Sequence, residues 1–124
     1  GDTMANQIGN ILEIITTHPK EITKAAPFGQ PCISHYEDGF LVFQFVTRKA
    51  APIKAVQSLS ETFREDDFRL LWADEDCFNV GEIHFFDGCE TDWYYPDGKE
   101  AEALYHLIWD CLGKETICYE ETSR

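Results

Sequence analysis

The run Phe40–Thr47 (FLVFQFVT) constrains this chain more than any other stretch. Successive side chains of a strand point to opposite faces, and here both faces are apolar except at Gln44. A strand of that kind lies inside a sheet and is covered on both sides, or nearly so. It needs strands on its flanks and helices above it, so the neighbouring segments must supply both.

They do. Asn10–Thr16 (NILEIIT) is rich in β-branched residues and reads as a strand. Pro19 suits the first turn of a short helix, with Glu21 at its positive dipole end and His18 as a local cap. That helix ends before Pro27, and the segment from there to Asp38-Gly39 reads as a loop. A second helix begins at Pro52, with Ile53, Val56, Leu59, Ser60 and Phe63 on one stripe. Phe68–Ala73 is a further strand, and two more are expected near Gly81–Phe85 and Cys89–Tyr95. The last helix follows Tyr95-Pro96-Asp97-Gly98. Asp97 and Glu100 have capping-box spacing, Ala101, Leu104, Leu107, Ile108, Cys111 and Leu112 face the core, and Gly113 is a stop.

The expected order is β-α-β-α-β-β-β-α. It predicts an α+β two-layer sandwich, ferredoxin-like in layering, with a mixed or antiparallel sheet of four or five strands. Residues 1–124 form one domain, with 1–6 and 114–124 loosely ordered. At 44% hydrophobic and 14% aromatic, the composition can fill such a core. Five cysteines without a C-x-x-C argue against a disulfide framework or zinc site, and buried thiols with Cys89 facing inward fit a cytoplasmic protein. No secretory pattern or spanning apolar run occurs. Gly1 reads as a remnant of tag cleavage.

Charge limits the partners. Residues 1–60 balance five acids with five bases, whereas 61–124 carry 18 carboxylates against five bases and hold the whole net charge of −13. Glu65 to Asp92 has ten carboxylates and one base, Arg69. Such a field repels nucleic acid and anionic lipid, and attracts basic protein surfaces or metal cations. The acidic surface of residues 65–92, through Asp74, Glu75, Asp76, Glu82, Glu90 and Asp92, is the expected partner-binding face. No cofactor is implied by any motif. Phosphate-loop, G-x-S-x-G and H-E-x-x-H patterns are missing, so the chain reads as a non-catalytic interaction module.

The alternative is a divalent-cation enzyme on the 81–95 hairpin. A two-residue turn at Asp87-Gly88 would set Phe85 against Glu90 and Ile83 against Asp92, which offends the apolar pattern. A three-residue loop, Phe86-Asp87-Gly88, instead places Glu82 opposite Asp92 and His84 opposite Glu90 on the outer face. Glu82, His84, Glu90 and Asp92 could then ligate Mg²⁺ or Ca²⁺. Cys32 and His35 could form a nucleophile and base only with something to orient the imidazole, and none is near in sequence. His106 reads as half-buried beside the last helix's apolar stripe. Trp93-Tyr94-Tyr95 lacks the basic track of a nucleic-acid platform; Trp72, Trp93 and Trp109 read as core. The last strand leaves an edge for pairing with a second copy, unless Glu90 and Asp92 prevent it.

Two stretches resemble the YubB-like domains, proteins of plasmids, phages and other mobile elements. Met4-Ala5-Asn6-Gln7-Ile8-Gly9-Asn10 is similar to their M-A-N-W-C-x-N opening, with Gln7-Ile8 in place of Trp-Cys. Phe45–Arg48, Ala51-Pro52-Ile53 and Phe68–Phe86 with Gly81-Glu82 follow their strand–proline–helix–strand centre. The resemblance implies a ferredoxin-like fold and no particular activity.

Overall fold

The computed structural model describes residues 6–28 and 32–123, apart from the side chains of 113–123. Residues 1–5 and 124, where loose order is expected, lie outside this description. The elements are β1 (Gln7–Ile15), α1 (Pro19–Ala25), β2 (Cys32–Glu37), β3 (Phe40–Arg48), α2 (Ile53–Thr62), β4 (Asp67–Asp74), β5 (Val80–Phe86), β6 (Cys89–Tyr94) and α3 (Gly98–Ser123). The helix α3 runs through Gly113 rather than stopping there.

All six strands join one sheet in the order β2-β3-β1-β4-β5-β6, every neighbouring pair antiparallel. The first four strands and two helices make the ferredoxin-like β-α-β-β-α-β unit. The β5–β6 hairpin widens the sheet beyond β4. The sheet thus has six strands instead of four or five, and the added member is β2, in a segment expected to be a loop. Asp38 and Gly39, with φ of 53° and 86°, make the tight turn that pairs Glu37 with Phe40.

The two-layer expectation fails as well, because helices lie on both faces. Ile22 of α1 and Val56 and Leu59 of α2 pack on Leu12, Phe43, Phe45, Leu70 and Ile83. The α3 residues Ala101, Ile108 and Leu112 pack on Ile11, Leu71, Ala73 and Val80 across the sheet. Close approach of α3 depends on Gly9: a Cβ there would come within 2.6 Å of Leu112 and 3.0 Å of Ile108. β4 is consequently buried on both sides from Leu70 to Asp74. β3 is an inner strand, but α3 reaches only part of its second face, where Val42, Gln44 and Val46 are half-buried. Leu107, expected in the core, is exposed, and so is His106.

α2 also fixes the hairpin turn. Its Gln57 Nε2 donates to the Gly88 carbonyl and its Ser60 Oγ accepts from the Gly88 N–H, both at 2.9 Å. One end of the β5–β6 hairpin is thereby clamped to the body of the domain.

Candidate interaction surface

The hairpin departs from the expected register. Its turn is the two-residue Asp87-Gly88, both residues at positive φ (53° and 75°), so Phe86 pairs with Cys89 and Phe85 with Glu90. A bulge then skips Thr91, and His84 pairs with Asp92, Ile83 with Trp93 and Glu82 with Tyr94. The bulge restores the parity that a plain two-residue turn would have broken. It also puts Glu90 on the α1–α2 face while Asp92 stays on the α3 face. Cys89 is exposed rather than inward-facing.

The proposed metal ligands therefore do not converge. Glu90 is on the opposite face from the other three, and Glu82 is already held by a cation. Arg69 Nε lies 3.0 Å from Glu82 Oε2 and its Nη1 2.9 Å from Glu13 Oε1, while His84 Nε2 lies 2.6 Å from Glu82 Oε2. Among the described residues no three His, Cys, Asp or Glu side chains are grouped to hold a metal ion. Burial works against the Glu82 carboxylate, but hydrogen bonds from Arg69 and His84, with their charges, outweigh it and hold its pKa below the usual value. Hydrogen bonding to Glu82 likewise raises Arg69.

A group whose folded pKa is lowered stabilises the fold above its unfolded pKa, and that stability fades as pH falls through the folded value. We expect Glu82→Gln to lower Tm at neutral pH and to converge with the parent in acid, below the ordinary carboxylate range. Arg69→Met, which leaves Glu13 and Glu82 facing each other half-buried, should cost about 1–2 kcal/mol in urea unfolding.

This cluster borders a cavity of about 310 Å³ on the part of the sheet that α3 leaves uncovered, lined by Ile15, Phe40 and Thr91 among others. A second cavity, of about 570 Å³, lies between the end of α2 and the Asp87 turn. There Arg64 Nε meets Asp87 Oδ1 at 2.7 Å, and His18, which makes no side-chain cap on α1, lies 2.8 Å from Asp66 Oδ2. The ion pairs Arg64–Asp87 and Arg69–Glu13 line these cavities, and among the described residues neither cavity joins a nucleophile to a base. The Cys32–His35 pairing is not assembled, because residues three apart on β2 face opposite sides. Burial also pushes the Cys32 thiol up to about 11, so it stays protonated at neutral pH.

The remaining acids separate into structural and exposed groups. Asp74 is 2% exposed, and its Oδ1 accepts the Phe78 and Asn79 N–H groups at 2.7 and 3.0 Å, so it builds the turn instead of belonging to the surface. Glu75 is exposed and accepts the Gln7 N–H, and Asp76 is exposed beside it. Their turn sits at the same end of the sheet as the last residues of β6, since Trp72 bonds Asn79 and packs edge-on against Tyr95. The first turn of α3 arrives at that end too, where Glu100 accepts the Tyr94 hydroxyl instead of completing a capping box.

One end of the molecule thus gathers Glu75, Asp76, Asp97, Glu100 and Glu102, all exposed, with the exposed Asp92 farther along β6 opposite His84. Exposed aromatics lie among them: Phe78 at 89%, Trp93 at 57% and Tyr95 at 56%. Sequence reasoning stopped the acidic region at Asp92 and put Trp93 in the core. The α3 acids and the aromatics were missed, and the available signal was the continuation of charge through Asp97-Gly-Lys-Glu-Ala-Glu102. Trp72 and Trp109 do pack as expected, Trp109 donating to the Ala73 carbonyl at 3.0 Å.

Residues 32–119 match the family described as the ferredoxin-like domain in Api92-like protein. The chain belongs to that family. The matched segment starts at β2, so β1, the strand between β3 and β4, lies outside it. No curated protein and no solved structure matches the chain.

Proposed function

We propose that this ferredoxin-like domain is a non-catalytic interaction module that engages a basic protein surface through its acidic end. The observation that carries this reading is the concentration of exposed carboxylates and exposed aromatics around the β4–β5 turn, β6 and the start of α3. An exposed apolar patch rimmed by charge is characteristic of an interaction site. A field of this sign disfavours nucleic acid and anionic membranes as partners, and among the described residues no helix is long and apolar enough to cross a membrane. The resemblance to YubB-like mobile-element domains suggests one form of the function: a cytoplasmic mimic of DNA charge directed at a nucleic-acid-binding protein.

A fluorescent oligolysine peptide tests this by anisotropy. Binding should weaken by about ten-fold or more between roughly 50 and 300 mM salt, as counter-ions screen the pairing. Asp76→Asn with Glu102→Gln should weaken it further, whereas Glu21→Gln with Glu37→Gln, which removes the same charge from the balanced half, should change it little. Equal effects of the two double variants would mean that net charge, not this end, holds the peptide.

A further inference from the structure

β6 closes the sheet on one side, and among the described residues nothing pairs with its outer edge. All six of its residues are exposed. The Trp93 N–H bonds Asp92 Oδ1 at 2.9 Å, so a main-chain donor here has a neighbouring side chain as acceptor. An exposed edge of this kind is a template for an incoming extended segment. On the α1–α2 face beside it, Trp93 and Tyr95 lie 5.5 Å apart, and Tyr95 rests 5.9 Å from Trp72, which anchors the shelf in the core. Glu90 is on that same face and Asp92 on the other.

We propose that β6 receives an extended basic segment of a partner protein as a seventh strand. Its Lys or Arg side chains lie over Trp93 and Tyr95 on one face and pair with Glu90 and Asp92. This rests on the acidic-end reading and specifies what kind of partner that end takes. The Trp93 N–H passes from Asp92 to a carbonyl of the added strand, and Asp92 turns to a cation of the partner.

Charge selects this occupant. A second copy of the chain paired through β6 would set Glu90 and Asp92 near their own counterparts, and opposed like charges destabilise a strand pair. A basic segment meets carboxylates on both faces and aromatic rings suited to cation–π contact. The other sheet edge, β2 (CISHYE), offers a single carboxylate and no comparable shelf.

The test compares two short peptides of repeating Lys-Lys-Val-Val, which present lysines on both faces of a strand, identical in charge, one unmodified and one N-methylated throughout so that it has no backbone donors. The unmodified peptide should slow amide exchange in residues 89–95 and bind at least about ten-fold more tightly than the methylated one. Trp93→Ala, at an exposed position, should weaken it several-fold without lowering Tm. Equal, salt-sensitive binding of both peptides without protection of β6 would overturn strand addition and leave the acidic-end reading standing. Salt-insensitive binding, or none, would overturn both. A concentration-dependent dimer with β6 already protected would overturn the proposal in favour of self-pairing.

Discussion

Deleting residues 1–16 is expected to abolish cooperative unfolding altogether. β1 is an inner strand of the ferredoxin-like unit, paired along its length with β3 on one side and β4 on the other. Without it the sheet divides into a β2–β3 hairpin and a β4–β5–β6 meander, each with a newly open apolar edge. The same strand contributes Ile8, Leu12 and Ile14 to one core and Ile11 to the other. At about 2 kcal/mol for each buried aliphatic side chain, the four account for about 8 kcal/mol, comparable with the whole stability of a small domain. The shortened chain should aggregate or give a flat urea profile by circular dichroism. A sharp transition from the shortened chain would mean that residues 17–124 fold without β1 and that β1 is accessory. The outcome also bears on where the domain boundary of this family should be drawn, since the match begins after the strand that holds the sheet together.

The second large effect is expected at Gly81. A Cβ on this residue would lie 2.4 and 2.7 Å from two carbons of the Trp72 ring. The ring cannot yield as a flexible chain end would. It is 2% exposed, and its Nε1 is tied to Asn79. Gly81→Val should cost about 3 kcal/mol, at the upper end for overpacking, and lower Tm by about 10 °C. Because Tyr95 leans on Trp72 and Trp93 on Tyr95, the variant should also disturb the aromatic shelf. A red-shifted tryptophan emission and weaker peptide binding in the folded protein would report that. An unchanged Tm and emission would show that Trp72 does not rest on Gly81. The need for a glycine under this ring gives a physical reason for Gly81-Glu82 standing where it does.

The interior strands were legible in the sequence because burial writes a strong pattern. Phe40–Thr47, Phe68–Ala73 and the α2 stripe through Val56 and Leu59 take their expected places. β2 was not, since its side chains alternate little in polarity and most of the strand is exposed. Its signal was Asp38-Gly39, a tight hairpin turn between two runs that can pair. The hairpin register failed for a different reason. Side-chain parity is a sound criterion only for an unbroken ladder, and the bulge at Thr91 adds one residue to one strand. A helix stripe identifies which residues are buried and leaves open which face of a sheet they cover. The apolar pairs Leu70-Leu71 and Trp72-Ala73 on β4 demanded cover on both faces, and α3 supplies it. Which acids of residues 65–92 stay exposed was not separable from sequence. Asp74 and Glu82 are consumed by the turn and by Arg69, while Asp97, Glu100 and Glu102 extend the exposed charge beyond the hairpin.

The most direct measurement is a titration of the isotopically labelled protein with the unmodified Lys-Lys-Val-Val peptide, followed by backbone amide shifts. The changes should concentrate in residues 89–95, with smaller shifts in 75–79 and 97–102, and should diminish as salt is raised. Shifts centred instead on the Arg69 cavity or the β2 edge, or spread evenly over the acidic residues, would contradict a working surface at the β6 end of the sheet.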